Sequence, residues 1–275
     1  MSGMHELLGF LAARAVPGLE EVTGRSYRRS MALDHGAAVA DVTAGEEEVR
    51  IELRLDDERD RTDAAARCRR LLDLDADTAH IDAALDADPL LAPLVRRRPG
   101  LRVPRATDGF ELAVRAIVGQ QVTLAAARRT GARLVALYGR PLDEPAGSVT
   151  HLFPTPAAVA EVDSLELRLP RVRASALRAL ARAVLDGELD LGPGAERAAA
   201  TSTLLALPGI GPWTASYIGM RALGDSDAFP PGDAAVRRSL ERLGRDGRPA
   251  AAQRVAERWR PWRSYALMHL WRADS

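Results

Sequence analysis

The chain has 275 residues, of which 47% are hydrophobic and 28% charged, so it is long enough for two modest folded units or one large one. Aromatic residues make up 4%, and the apolar content is mostly Ala, Leu and Val, which favours helix over sheet. The formal net charge is zero, but residues 1–100 carry 14 Arg and 20 acidic residues, whereas residues 101–275 carry 24 Arg and 18 acidic residues. A basic second part is compatible with a surface that faces nucleic acid. The single cysteine, Cys68, excludes a disulfide framework or a four-cysteine cluster within the chain.

Nothing in the sequence directs the chain to a membrane. It contains no signal peptide, no lipidation motif and no run of about 18 apolar residues that would span a bilayer. We therefore expect a soluble, cytoplasmic protein with no membrane partner.

The first 100 residues show the pattern of a small α+β domain. Residues 49–55 alternate cleanly between apolar and polar side chains, which is typical of an antiparallel sheet with one face in water. Asp34-His35-Gly36 supplies turn chemistry between two of the strand-like runs. The predicted elements are a helix at 5–14, strands at 26–33, 37–43 and 48–55, and helices at 60–74 and 78–85.

A basic segment with Pro and Gly, 96–104, predicts a domain boundary near residue 100. From Asp108 onward helical patterns follow almost without a break, so residues 101–275 are predicted to form an all-α domain. Residues 139–156 are predicted to be a loop. The predicted helices are 110–118, 124–138, 156–162, 174–186, 198–206, one that begins at Pro212, one that follows Asp233 and carries Val236 and Leu240, and 263–271.

The segment 201–223 has the pattern of two helices joined by a tight turn. The turn contains Gly209 and Gly211 on either side of Ile210, and Pro212 suits the first turn of the second helix because a missing N–H costs nothing there. Uncovered amides at such a turn, together with the helix N-terminus, bind anions. The segment therefore predicts a helix-hairpin-helix that grips a nucleic-acid phosphate, although the spacing alone fits a plain corner between helices equally well.

Aromatic residues follow the hairpin at helical spacing. Trp213 and Tyr217 lie at positions i and i+4, on one face of the second helix, and Trp271 lies in the last helix. Their alternative role is core packing. As a cage, they would stack on a base turned out of the duplex, and an indole face attracts a positively charged alkylated base by about 0.5–2 kcal/mol.

Asp233 ends a Gly/Pro turn, residues 229–233, and begins the next helix. An aspartate at that position is also a good N-cap, worth about 1 kcal/mol. In a catalytic role its carboxylate would stabilise the positive charge that develops on the sugar when an N-glycosidic bond breaks, and would orient the attacking water. A base that is already cationic leaves as a neutral group, so no general acid is required.

Gln120 and Gln121 interrupt a helical pattern with two adjacent amides. Most such pairs are solvated loop residues. If the hairpin grips a phosphate, a polar loop on the same face would fill the space left by an extruded base.

The order of hairpin, Trp-bearing helix, Gly/Pro turn and aspartate resembles the helix-hairpin-helix/Gly-Pro-Asp superfamily of base-excision DNA glycosylases. The details are most similar to 3-methyladenine DNA glycosylase II, the AlkA type. The resemblance extends over nearly the whole chain and is carried by the hairpin and by the segments 8–15, 72–75, 98–102, 116–120, 153–156 and 258–267.

The resemblance implies an α+β fold, in which an N-terminal antiparallel-sheet domain similar to half of the TATA-binding fold precedes a helical domain with the active cleft. It implies a catalytic role for Asp233 and a wedge role for Gln121, where the family has leucine. The pocket residues that it implies are Trp213, Tyr217, Trp271, Phe10 and Gln120. The DNA contacts are Gly209, Ile210, Gly211 and Thr214, and the backbone carbonyls of Leu205, Leu207 and Ile210 would hold a Na⁺ or K⁺ ion.

The absence of lysine from the chain separates sub-classes of this superfamily. Bifunctional members attack with a lysine in the second hairpin helix, form a Schiff base and cut the strand, and here that helix begins Pro212-Trp213-Thr214. The cysteines of the iron–sulfur branches are also missing. These departures predict a monofunctional hydrolase that requires no cofactor.

The sequence thus predicts a monomeric, nucleoid-associated enzyme that removes 3-methyladenine and related cationic purines from double-stranded DNA and leaves an abasic site. The resemblance also suggests that the chain is fused or functionally linked to an Ada-type methyl-acceptor module, since actinobacterial relatives often carry one. Two alternatives stay open: a non-catalytic helix-hairpin-helix module that binds the DNA backbone, and a glycosylase for deaminated or oxidised bases.

Overall fold

The computed structural model describes residues 2–45 and 48–273. Its N-terminal part is built on a four-stranded antiparallel sheet in which consecutive strands are neighbours. The strands are β1 (Glu20–Thr23), β2 (Ser26–Ala32), β3 (Ala37–Ala44) and β4 (Val49–Leu55).

Strand β1 was not predicted from the sequence. It has four residues, two of them glutamates, and it reaches β2 through a tight turn in which Gly24 has a φ of 59°. A strand this short carries too little alternation to stand out, and Glu20 is buried because charged groups elsewhere in the fold pair with it.

One face of the sheet is covered by two helices. The helices of this part are α1 (Ser2–Arg14), α2 (Arg61–Leu71), α3 (Thr78–Asp86) and α4 (Ala92–Arg97). Tyr27 and Val42 of the sheet pack with Leu7 and Leu11 of α1 and with Leu71 of α2.

A two-stranded hairpin lies where the sequence predicted a loop at 139–156. Strands β5 (Pro141–Ala146) and β6 (Val149–His151) pair antiparallel, and Leu142 and Val149 pack on Val39 of the sheet. The pairing is irregular and its strands carry charged residues and proline, so the local pattern resembles a loop. The hairpin is therefore stabilised by its packing on the four-stranded sheet.

The rest of the chain after residue 108 is helical. One core cluster joins four of these helices through residues such as Ile117, Leu177, Leu204 and Ile218. A helix at 249–256 was not predicted, because four alanines give it little periodicity. The helices are α5 (Gly109–Val118), α6 (Leu124–Tyr138), α7 (Pro156–Ala160), α8 (Arg171–Leu185), α9 (Arg197–Ala206), α10 (Pro212–Arg221), α11 (Ala234–Arg242), α12 (Pro249–Ala256) and α13 (Arg263–Trp271).

A second core cluster contains residues from both sides of residue 100. Leu91 and Leu101 pack in it with Leu240, Trp259 and Leu270. The segment around α3 and α4 therefore shares a core with the C-terminal helices, and the domain boundary near residue 100 stays a prediction.

Buried charges also join the sheet to the helical part. Arg29 of β2 donates from Nη2 to Oε2 of Glu111 on α5 at 2.6 Å, and Arg115 of α5 lies 3.0 Å from Oε2 of Glu20. Arg115 donates in addition to the carbonyl of Arg14, at 2.8 Å. These contacts hold the C-terminal end of α1 against the helical part. The carbonyls at a helix end favour a cationic partner such as Arg115.

No helix in the described part of the chain is long and apolar enough to cross a membrane.

Candidate active site

The two glycines of the hairpin turn between α9 and α10 are exposed. Gly209 has a φ of 80°, in the left-handed region that favours glycine, and Gly211 is the N-cap of α10. The side chain of Ile210 is 5% exposed and packs in the core beside Leu204. Ile210 thus anchors the turn, and any contact that it makes outside the protein comes from its backbone. The first amides of α10 have no intrahelical acceptor, so the turn can present N–H groups to an anion.

Asp233 is the N-cap of α11, as one interpretation of the sequence proposed. Its Oδ1 accepts hydrogen bonds from the amides of Ala235 and Val236 at 2.8 and 2.9 Å. Two indoles also donate to this carboxylate: Trp213 Nε1 to Oδ2 at 2.7 Å and Trp271 Nε1 to Oδ1 at 3.2 Å. Four N–H groups from three helices therefore fix the position of one buried carboxylate, which is more than a cap requires.

The aromatic residues form a wall that continues from this carboxylate. The rings of Trp213 and Tyr217 are stacked, with centroids 5.2 Å apart and planes 11° from parallel. Trp271 is tilted against Tyr217 at 6.3 Å. Trp213 is 37% exposed, so its ring has a face that the core does not use.

A cavity of about 540 Å³ opens in front of this wall. Asp233, Trp213, Tyr217 and Trp271 line it, as does Phe10 from α1, so the cavity lies between the first helix and the helical part. The volume is in the range of pockets that hold a small molecule or a nucleobase. Four of the five predicted pocket residues are thus brought together around the carboxylate.

The fifth, Gln120, does not line this cavity. Its side-chain amide donates to the carbonyl of Gly209 at 2.9 Å and to Oγ1 of Thr214 at 3.0 Å. The hydroxyl of Thr214, which was predicted to contact DNA, is therefore engaged inside the protein, and this residue is 4% exposed. Gln120 ties its own loop to the hairpin because the two segments lie side by side.

Gln121 is exposed and has a φ of 54°, so the backbone turns sharply where the wedge was predicted. Arg173 of α8 holds this loop from the other side, donating from Nη2 to the carbonyl of Gln120 at 2.8 Å. The exposed apolar residues Val122 and Leu124 follow. The loop is therefore exposed beside the hairpin.

Two arginines at the far end of the wall were missed by the sequence interpretation. Arg221 donates from Nη1 to the hydroxyl of Tyr217 at 2.6 Å, and the guanidinium of Arg14 lies 3.6 Å from the ring centroid of Phe10. Burial opposes ionisation of the Tyr217 hydroxyl, but Arg221 and Arg14 outweigh it and lower the pKa of that group. A signal was present, because Phe10/Arg14 and Tyr217/Arg221 are both i, i+4 pairs that share a helix face.

The carbonyls proposed for a monovalent cation lie at the end of α9 and in the turn. Leu205 is 46% exposed, and the carbonyl of Leu207 accepts from the amide of Ile210 at 3.3 Å. Ion binding by Leu205, Leu207 and Ile210 stays a prediction.

Comparison with family models identifies both parts of the chain. Residues 3–108 match the AlkA N-terminal domain, and residues 114–264 match the HhH-GPD superfamily base excision DNA repair protein model. The chain therefore belongs to the HhH-GPD superfamily of base excision DNA repair proteins.

Individual relatives cover almost the whole chain. It is 38% identical over 270 residues to the DNA-3-methyladenine glycosylase 2 of Escherichia coli, which covers 96% of this chain and 92% of the relative. It is 48% identical over 265 residues to the probable bifunctional transcriptional activator/DNA repair enzyme AlkA of Mycobacterium tuberculosis, which covers 96% of this chain. The chain spans about half, 53%, of the length of that relative.

The fold is shared with a solved structure, the 3-methyladenine DNA-glycosylase from Archaeoglobus fulgidus. The TM-score is 0.80 at 24% identity, and the match covers 97% of this chain and 93% of the other. An N-terminal antiparallel-sheet domain followed by a helical HhH-GPD domain is thus the architecture of this protein.

Proposed function

We propose that the chain is a monofunctional DNA glycosylase that hydrolyses the N-glycosidic bond of alkylated bases, chiefly 3-methyladenine and related cationic purines, in double-stranded DNA. The observation that carries the proposal is the carboxylate of Asp233, held by two indole N–H groups at the end of an aromatic wall that lines a cavity of nucleobase size. The names of the Escherichia coli and Archaeoglobus fulgidus relatives support the reaction class.

In this reaction the hairpin grips a phosphate and the lesion turns out of the duplex into the cavity. The C1′ atom then faces Asp233, and breakage of the glycosidic bond builds positive charge on the sugar. A fixed carboxylate stabilises that charge and orients a water for attack. Because its four N–H donors are part of the fold, Asp233 needs no reorganisation as the charge develops.

Selection of a damaged base comes from the wall. Trp213 and Tyr217 offer stacked electron-rich faces, which bind a cationic base more tightly than a neutral one. A damaged or mispaired base also turns out of the duplex at a lower cost than a paired one.

The proposed reaction requires no cofactor. A Na⁺ or K⁺ ion at the carbonyls of Leu205, Leu207 and Ile210 would strengthen the binding of the phosphate by the hairpin.

The open cavity favours an enzyme over a module that only binds DNA. Side chains would fill the space in a protein whose Asp233 served as a cap alone, whereas here the aromatic faces border an empty volume of about 540 Å³.

The protein acts as a monomer associated with the nucleoid, and a link to an Ada-type methyl-acceptor module remains a prediction.

Base release from dimethyl-sulfate-treated DNA tests the proposal, with the wild type and Asp233→Asn measured side by side. Asparagine keeps a side-chain oxygen for the amides of Ala235 and Val236, so the N-cap is retained, while the negative charge and the acceptor for Trp213 are lost. We expect release of 3-methyladenine to fall by at least two orders of magnitude while DNA affinity is preserved. Release that survives in Asp233→Asn would remove the catalytic role, and no release by folded wild type would leave a DNA-binding module.

A further inference from the structure

The loop that carries Gln121 is bonded to the hairpin by the side chain of Gln120. Its Nε2 donates to the carbonyl of Gly209 at 2.9 Å and to Oγ1 of Thr214 at 3.0 Å. These contacts join residues that are 89 and 94 positions apart in the sequence, so they do not arise from local structure. Because a carbonyl can only accept, the nitrogen of the Gln120 side chain, and not its oxygen, must face Gly209.

The bond to Gly209 restrains one peptide group of the turn. The amide of Ile210 donates to the carbonyl of Leu207 at 3.3 Å, and the carbonyl of Gly209, in the same peptide group, accepts from Gln120. Since a peptide group is planar, holding both of its polar atoms fixes the orientation of its plane. The next amide is that of Gly211, the N-cap of α10, where we expect a phosphate to bind. Gln120 therefore helps to set the geometry of the phosphate site.

The bond to Thr214 connects the loop to the first turn of α10. Thr214 is 4% exposed and follows Trp213, whose indole donates to Asp233 at 2.7 Å. Two adjacent residues of α10 thus bind in two directions, Thr214 to the loop and Trp213 to the carboxylate. A shift of the loop relative to α10 would break a hydrogen bond one residue away from the group that holds Asp233.

The other side of the loop is held by α8. Arg173 donates from Nη2 to the backbone carbonyl of Gln120 at 2.8 Å, and α8 also reaches the turn, since a Cβ on Gly209 would lie 3.1 Å from that of Ala176. Gln120 is therefore bound through both its backbone and its side chain. The next residue, Gln121, is exposed with a φ of 54°, so its position relative to the turn is set by Gln120.

We propose that Gln120 is a positioning residue that couples phosphate binding by the hairpin to insertion of Gln121 into the space left by the extruded base. This inference rests on the proposed glycosylase function and gives Gln120 a role outside the cavity. A bound phosphate orders the turn, the turn holds the loop through Gln120, and the loop places Gln121 at a fixed distance from the phosphate. Phosphate binding and base extrusion then favour each other, as linkage between two binding events requires.

Three variants test this connection. Gln120→Met keeps an unbranched side chain of similar length and removes the N–H donor. Thr214→Val keeps the shape of the acceptor residue and removes its hydroxyl, so that the bond from Gln120 to Gly209 remains. Gln253→Met is the matched control, because Gln253 of α12 also donates one side-chain hydrogen bond, to Glu257 at 2.7 Å, and lies outside the cavity lining.

The readout is the fluorescence of 2-aminopurine next to a non-cleavable 3-methyladenine analogue in a duplex, which rises when the neighbouring base leaves the stack. Measurement at saturating protein makes the ratio of extruded to stacked complexes independent of affinity. We expect Gln120→Met to lower this ratio about tenfold and Thr214→Val about threefold, as the loss of hydrogen bonds implies. The affinity for undamaged duplex at fixed salt should change less than twofold, and Gln253→Met should match the wild type.

Gly211→Ala distinguishes coupling from structural support, because we expect it to weaken the phosphate contact. In the wild-type background it should lower both the affinity and the ratio of extruded to stacked complexes at saturation. In the Gln120→Met background it should lower the affinity alone, which is the non-additivity of two coupled sites. The same effect of Gly211→Ala on the ratio in both backgrounds would overturn the inference, and so would no effect in either.

Release of 3-methyladenine from dimethyl-sulfate-treated DNA is measured beside the fluorescence. Release by the wild type, with a ratio in Gln120→Met equal to that of the wild type, would overturn the inference and leave the proposed function standing. Folded wild type that gives neither release nor a fluorescence rise would remove the proposed function and, with it, this inference. If Gln120→Met has a lowered melting temperature, Thr214→Val decides, and an unchanged ratio in that variant would overturn the inference.

Discussion

At the scale of single residues, the carboxylate of Asp233 serves the fold and the site at once. The same oxygen that caps α11 also accepts from Trp271, and the second oxygen accepts from Trp213. The capping of α11 and the orientation of the carboxylate can be tested separately, because backbone amides make the cap and indole N–H groups orient the carboxylate.

Trp213→Phe tests the indole contribution. Phenylalanine keeps an aromatic face on Tyr217 but removes the Nε1 donor 2.7 Å from Asp233. We expect a roughly tenfold lower rate of base release with little change in DNA affinity, since the lost hydrogen bond holds a charged group. Trp262→Phe, whose side chain lies outside the cavity lining, is the control. An unchanged rate would show that the backbone amides and Trp271 position the carboxylate without the Trp213 donor.

Asp233→Ala tests the cap. Alanine accepts no hydrogen bond from the amides of Ala235 and Val236, so we expect it to lower the free energy of unfolding by about 1 kcal/mol relative to the wild type. Asp233→Asn should lose much less. Denaturant unfolding measures both, and equal stability of the alanine variant would mean that the cap contributes nothing.

The residues of this site were accessible from sequence to different degrees. Asp233, Trp213 and Tyr217 follow a hairpin in an order that resembles the family, and the structure places all three at the cavity. Arg14 was not predicted: its i, i+4 spacing from Phe10 shows a shared helix face, but its place at the cavity depends on the packing of α1 against the helical part. The family resemblance predicted Gln120 at the pocket, but its side-chain amide donates to two acceptors in the hairpin segment instead.

At the scale of elements, the hydrophobic periodicity of the sequence predicted helix bounds well where a helix has one apolar face. The helices 124–138 and 263–271 have the bounds that their patterns predicted. The hairpin β5–β6 and the strand β1 were missed, because short, charged segments form strands here through contacts with distant parts of the chain. Local pattern therefore identified the helices better than the sheets.

The hairpin turn allows a test that separates folding from binding. A Cβ on Gly211 would meet no atom within 4 Å, whereas Gly209 has a φ of 80° and its Cβ would lie 3.1 Å from that of Ala176. We expect Gly211→Ala to keep the melting temperature and to weaken DNA binding several-fold, for all sequences alike, because phosphate contacts carry no base information. Gly209→Ala should lower stability as well, by about 1 kcal/mol. Unchanged affinity of Gly211→Ala at fixed salt would exclude close approach of a phosphate to the turn.

At the scale of the whole molecule, composition limits the chemistry. The chain has no lysine, so a side-chain imine with the sugar is unavailable. We expect that borohydride will not trap the protein on DNA that contains a processed lesion, and that the abasic product will remain uncut until alkali is added. Efficient trapping under conditions that capture a lysine-dependent glycosylase would contradict a monofunctional mechanism.

The first helix and the helical part must also be held together for the cavity to exist, since Phe10 and Arg14 form one of its sides. The buried charges between the sheet and α5 supply much of that connection: Arg29 pairs with Glu111, and Arg115 with Glu20 and Glu111. Burial alone would raise the pKa of Glu20, but Arg115 and Arg29 outweigh it, so the pKa is lowered below the ordinary value for glutamate.

This network predicts how stability depends on pH. Because the pKa of Glu20 is lower in the folded than in the unfolded protein, its contribution is fully present above about pH 4.5 and is lost as the pH falls below that value. Glu20→Gln removes the charge and leaves Arg115 and Arg29 with fewer partners, so we expect it to lower the free energy of unfolding at pH 7 by about 3 kcal/mol. It should also flatten the loss of stability between about pH 4.5 and the lowered pKa. Glu52→Gln, on the exposed face of β4, is the control. An acid limb as steep in Glu20→Gln as in the wild type would show that other carboxylates connect the sheet to the helical part.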